Sequence, residues 1–154
     1  MSNVKIFKEI SIGGLTKEQL LQQLTKANIQ FNKYAPALFE HPSFIPPKES
    51  ELVQLVKVGP ADFDLTNPYS YQELANRALK IGLKLCPLYL AAFLRLQYLD
   101  QAEGPHLTIA SPRPDENYPN GFYIRKHEDI LWLRGYQADD FCEWPEGNEF
   151  IFMK

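Results

Sequence analysis

Cysteine is scarce in this chain of 154 residues: Cys86 and Cys142 are its only two, and no Cys-x-x-Cys pair exists. Each sits beside apolar or aromatic residues, so two reduced thiols in or near the core are expected, and nothing indicates a disulfide. Histidine is almost as rare. His41, His106 and His127 form no His-Glu-x-x-His motif. Phosphate cradles are missing as well: there is no GxxxxGK[ST] and no GxGxxG, and Gly13-Gly14 alone is a turn. The nucleophile elbow GxSxG is also absent. No apolar stretch approaches membrane-spanning length, and residues 1–5 lack a cationic start followed by an apolar core, so a cytoplasmic protein without a signal peptide is expected. No cofactor and no metal site is expected.

Positive charge is the other shortage. The formal net charge is -3, spread as +2 over residues 1–50, zero over 51–100 and -5 over 101–154. An acidic last third has no basic stripe to neutralise phosphates, which makes nucleic acid an unlikely partner. A basic partner is accommodated more easily.

What is present is an ordinary globular balance, 45% apolar and 23% charged, in a length that suits one domain with its own core. The last sixty residues alternate apolar and polar positions between turn signals. Strands are expected at 94–99, 107–110, 121–125, 130–136 and 149–153. Two more are expected at 4–12 and 52–58. Thr16 with Gln19, and Ser70 with Glu73, have the spacing of capping boxes and announce two helices. The second carries the stripe Leu74, Ala75, Ala78, Leu79 and Ile81 and stops at Gly82. A further helical stripe runs through Phe31, Tyr34, Ala35, Leu38 and Phe39, and Pro87 opens a short helix to about Phe93. Residues 41–50 hold three prolines and read as a connection, which makes 1–47 a candidate helical subdomain or lid. The fold class is α+β: an N-terminal helical segment and one further capped helix on a mostly antiparallel sheet of five to six strands.

Several strings carry a resemblance. Gly-Leu-Lys-Leu-Cys-Pro at 82–87, Leu-Arg-Leu-Gln-Tyr-Leu-Asp-Gln at 94–101, Leu-Trp-Leu-Arg-Gly-Tyr at 131–136 and the closing Trp144-Pro and Phe-Ile-Phe at 150–152 resemble a family of small bacterial proteins with no assigned activity. The resemblance implies a bacterial, stand-alone, single-domain protein and transfers no catalytic residue.

Candidate function follows from one constellation. Arg95, Arg125 and Arg134 lie in expected strands, and agreement of parity places their guanidiniums beside Tyr98, Tyr123, Trp132 and Tyr136. Planar forks among aromatic rings suit a carboxylate, a phosphate or a peptide. The plainer expectation is a solvated sheet face whose arginines pair with nearby acids. The leading reading is a non-catalytic protein- or peptide-binding module using Arg95, Arg134, Trp132 and Tyr136. An immunity- or antitoxin-like role against a basic partner is one version of it. The alternative is a small hydrolase or transferase with its site near Cys86 and His106. Asp139, Asp140 and Glu143, interleaved with Phe141, Cys142 and Trp144, read as a solvated acidic turn anchored by its aromatics rather than a calcium loop.

Overall fold

A computed structural model describes residues 5–66, 68–104, 106–137, 144 and 147–154. Seven strands form one mixed sheet: β1 (Ile6–Ile12), β2 (Gln30–Phe31), β3 (Glu51–Val58), β4 (Leu107–Ile109), β5 (Gly121–His127), β6 (Ile130–Tyr136) and β7 (Glu149–Met153). Their order is β1-β3-β7-β4-β5-β6-β2. Four ladders are antiparallel, while β7 runs parallel to β4 and β2 runs parallel to β6. The sheet is thus larger than expected and mixed. Both departures come from strands that pair with residues far away in the chain.

The helices are α1 (Lys17–Lys26), α2 (Ala35–Glu40), α3 (Tyr71–Lys80) and α4 (Leu90–Gln97). Thr16 Oγ1 accepts from Gln19 N at 3.1 Å and Gln19 Oε1 accepts from Thr16 N at 2.9 Å, so the first capping box is formed as written in the sequence. Ser70 Oγ accepts from Glu73 N at 3.0 Å and starts α3. Gly82 follows α3 with φ +95°, a left-handed stop that costs glycine nothing.

Residues 94–97 are helical, which corrects the expected strand at 94–99. Leu-Arg-Leu-Gln alternates like a strand, but no β-branched residue occurs from 88 to 99, and Leu, Ala, Arg and Gln favour helix. The helical stripe through Phe31 also starts later than expected. Phe31 belongs to β2, and the Asn32 side chain makes the transition: its Oδ1 accepts from Ala35 N at 3.2 Å and Gly135 N at 3.0 Å, and its Nδ2 donates to Gly135 O at 2.8 Å. One side chain thereby caps α2 and ties it to β6.

Helices α1, α2 and α4 cover one face of the sheet. The buried cluster there joins Ile10, Leu20, Leu38, Phe44, Leu94, Phe122, Ile124 and Ile151. Residues of the first 47 therefore share a core with the rest of the chain, and β1 and β2 supply the two edges of the sheet. On the opposite face α3 packs Leu74, Ala75 and Ala78 against Val56, Val58, Phe150 and Phe152. Leu79 and Ile81, expected to be buried with them, are 42% and 39% exposed. Toward β5 and β6 this second face carries no described helix, and its side chains are half-buried. Among the described residues, no helix is long and apolar enough to cross a membrane.

Candidate functional site

The hairpin of β5 and β6 turns at Glu128 and Asp129, both left-handed at φ +53° and +64°. It pairs Tyr123 with Arg134, Arg125 with Trp132 and Gly121 with Tyr136. Side chains alternate along a strand, so Tyr123, Arg125, Trp132, Arg134 and Tyr136 all stand on the second face, as their parity requires. The alternate positions Phe122, Ile124 and Leu133 enter the core and hold the register.

The polar groups of this face are coupled to one another. The Arg134 guanidinium lies over the Trp132 ring, Cζ 4.0 Å from its centroid, and its Nη1 donates to Tyr123 Oη at 3.3 Å. The Tyr123 ring stacks on His106, centroids 4.3 Å apart and planes 22° off parallel. Arg125 closes the circuit: Nη1 donates to His106 Nε2 at 3.4 Å and Nε donates to Gly104 O at 3.3 Å. Arg134 Nε and Trp132 Nε1 are buried donors with no acceptor among the described residues. The described ion pairs use Asp115, Glu149, Asp129 and Glu128, and none of them involves an arginine. Among the described residues, then, Arg125 and Arg134 form no ion pair with a carboxylate. The nearby Glu103 is used elsewhere, accepting from Asp129 N at 2.7 Å.

His106 is held neutral. Burial, then Arg125, then Arg134 lower its pKa from 6.5 to about 4. Below pH 6.5 the unfolded chain takes up a proton that the folded chain refuses until about pH 4. Acid therefore favours unfolding across that window. Wild type is expected to lose about 1–2 kcal/mol more stability there than His106→Gln, after allowance for the ring's partial exposure. Urea midpoints of both proteins from neutral pH to pH 4 check this, because carboxylates common to the two cancel in the difference.

Arg95 and Tyr98 do not join this site. Arg95 lies in α4 on the opposite side of the sheet, fully buried, with its Nη1 donating to Trp132 O at 3.2 Å. It reaches the backbone of β6 from beneath. Tyr136 is on the expected face, but burial raises its hydroxyl pKa and its ring meets Trp144 edge-on at 5.7 Å. The stripe of Leu38 and Phe39 is core, not a docking face.

Cys86 and His106 are not brought together. Cys86 N donates to Ala110 O at 2.7 Å, and His106 lies four residues before Ala110 along the β4 direction. At the rise of a strand that is about 13 Å. The Cys86 thiol is buried near Ile151 O and its pKa is pushed up by burial, so it is not poised as a nucleophile. Cys142 and the acidic run 139–143 lie outside the described residues. Trp144 is buried against Phe150, centroids 5.1 Å apart. The described residues contain no cluster of three or more metal-ligating side chains.

Sequence reasoning did not single out Ser43. Its hydroxyl lies 2.8 Å from His41 Nδ1, and His41 Nε2 lies 3.3 Å from Asp115 Oδ2. The order Ser–His–Asp resembles a nucleophile relay, but the Ser43 amide donates to the same Nδ1 at 3.0 Å, which makes this a closed turn. With the Tyr118 ring edge-on to His41 at 4.6 Å, the group latches the 111–120 loop to the end of α2. Spacing of two residues between His41 and Ser43 is the only signal the sequence offers for it.

Searches against protein-family models, curated proteins and solved structures find no match to this chain, so function rests on the geometry of the site.

Proposed function

We propose that this protein is a non-catalytic binding module whose β5–β6 face takes an acidic peptide segment of a partner protein. One observation carries the reading. Arg125 and Arg134 stand half-buried between Tyr123, Trp132 and His106 with no carboxylate partner among the described residues. Guanidiniums held in place by stacking and partial burial are poised for bidentate contact with a carboxylate. Neutral His106 adds no charge of its own but keeps Tyr123 and Arg125 in position. A basic partner has no counterpart on this face, so an immunity- or antitoxin-like version would need a different surface.

The test is selection of binders from a random-peptide display library on immobilised protein. Asp- and Glu-rich peptides are expected, and Arg125→Ala/Arg134→Ala is expected to weaken a selected peptide about 100-fold, at roughly tenfold for each charged contact removed. Neither arginine belongs to the buried core, so the double variant should keep its circular dichroism. Enriched peptides without acids, or acidic peptides indifferent to the double variant, would overturn the reading.

A further inference from the structure

Between α3 and the end of β6 lies a cleft of about 450 Å³. Tyr71, Ala75, Leu79, Arg113, Tyr136 and Trp144 line it. Three aromatic rings meet in its wall: Trp144 lies 5.7 Å from Tyr136 and 6.2 Å from Tyr71 between centroids. Leu79 is the apolar residue of α3 that fails to bury in the core, and it is left 42% exposed at this wall. The polar end holds the Tyr71 hydroxyl, 3.5 Å from Ser111 O, and the Tyr136 hydroxyl. Arg113 stands at the exposed rim and, among the described residues, donates to the backbone carbonyls of Glu116 and Tyr118.

This cleft is continuous with the acid-binding face, because Tyr136 belongs to both. Arg134 is the next residue of β6 on the same side. Same-side residues of a strand are about 6.6 Å apart. An extended peptide repeats its side chains at the same interval, so one lying along β6 can set position i over Tyr136 and position i+2 over Arg134. Three guanidiniums, Arg113, Arg125 and Arg134, then line its course, none in a described ion pair.

We infer that the cleft takes an aromatic side chain of the acidic peptide, placed two residues from the Asp or Glu that meets Arg134. The inference rests on the binding reading above and deepens it by naming the anchor. Ring-lined walls favour an aromatic occupant through edge-to-face contacts, and a polar end suits a phenol or an indole. Filling the cleft also covers Leu79, as anchors do at the centre of peptide interfaces.

The same display selection reads out the inference. Enriched peptides should carry Phe, Tyr or Trp at a fixed two-residue interval from Asp or Glu. Replacing that aromatic by alanine in one selected peptide should weaken binding to wild type at least tenfold. In Leu79→Trp, which fills the cleft from an exposed position, the parent peptide should already bind that weakly and the alanine change should add nothing. Gln72→Trp, two turns earlier on the exposed side of α3, repeats the block if Leu79→Trp fails to fold. Acidic peptides with no aromatic at fixed spacing, or full affinity in the blocked variants, would overturn the anchor and leave the acidic-peptide reading standing. A selection without acidic peptides would remove both.

Discussion

Arg95→Ala is expected to cost the fold about 3–5 kcal/mol, from the buried acceptors left without a donor and the cavity left by the side chain. Arg95 is the largest fully buried side chain among the described residues, and no described carboxylate pairs with its guanidinium. Its charge is met by oxygens alone: Nη1 donates to Gln101 Oε1 at 2.7 Å and Trp132 O at 3.2 Å, and Nη2 donates to Tyr98 O. Tyr98 ends α4, where the helix dipole places partial negative charge. Burial lowers the Arg95 pKa to about 10, which still leaves it charged at neutral pH. An apolar replacement recovers the desolvation of the guanidinium, but it leaves three acceptors without their donor and opens a cavity. Arg95→Met separates these effects by keeping the stem, so its loss should fall between wild type and alanine. Arg95→Lys cannot fork to three acceptors and should not restore stability. Urea denaturation of the four proteins decides the matter. A loss below about 1 kcal/mol for alanine would mean that the network contributes no more than an exposed polar contact.

Gly13→Ala should be the most damaging glycine substitution, at about 2–5 kcal/mol. Two independent terms add. Gly13 has φ +87°, and a side chain there costs about 1–2 kcal/mol. A Cβ would also stand 2.3 Å from Glu49 O and 2.9 Å from the Pro47 ring. Overpacking of that kind costs about 1–3 kcal/mol. The close approach is real contact between β1's end and the proline-rich connection, since Gly14 N donates to Pro47 O at 3.0 Å. Gly82→Ala is the control. Its φ is +95°, but a Cβ there meets nothing within 4 Å, so only the backbone term applies. Equal thermal shifts for the two variants would show that the connection yields to the added methyl. A larger shift for Gly13 would show that 47–50 is held against the sheet.

The elements legible in the sequence are those whose chemistry is local. Thr16 with Gln19, Ser70 and Gly82 each act within a few residues of themselves, so their roles survive whatever the tertiary structure does. The same holds for the outer face of the β5–β6 hairpin. Parity alone puts Trp132, Arg134 and Tyr136 on one side of β6, and the tight connection at 128–129 pairs them with Tyr123 and Arg125. Arg95 was misplaced because four residues of alternation do not distinguish a strand from the end of a helix, and only the run of helix-favouring residues before it does.

By itself, then, the sequence determined the α+β class, two capped helices, the β5–β6 hairpin and the side of it that carries the arginines. Tertiary structure decided where β7 inserts, between β3 and β4, and that β2 closes the far edge in parallel to β6. It decided that Arg95 lies inside while Arg125 and Arg134 face out, that His106 completes their circuit, and that α3 stops short of covering them. Each of these depends on contacts between residues far apart in the chain. Whether such a contact forms is set by the competing burial of many side chains at once, and no local pattern of residues encodes it.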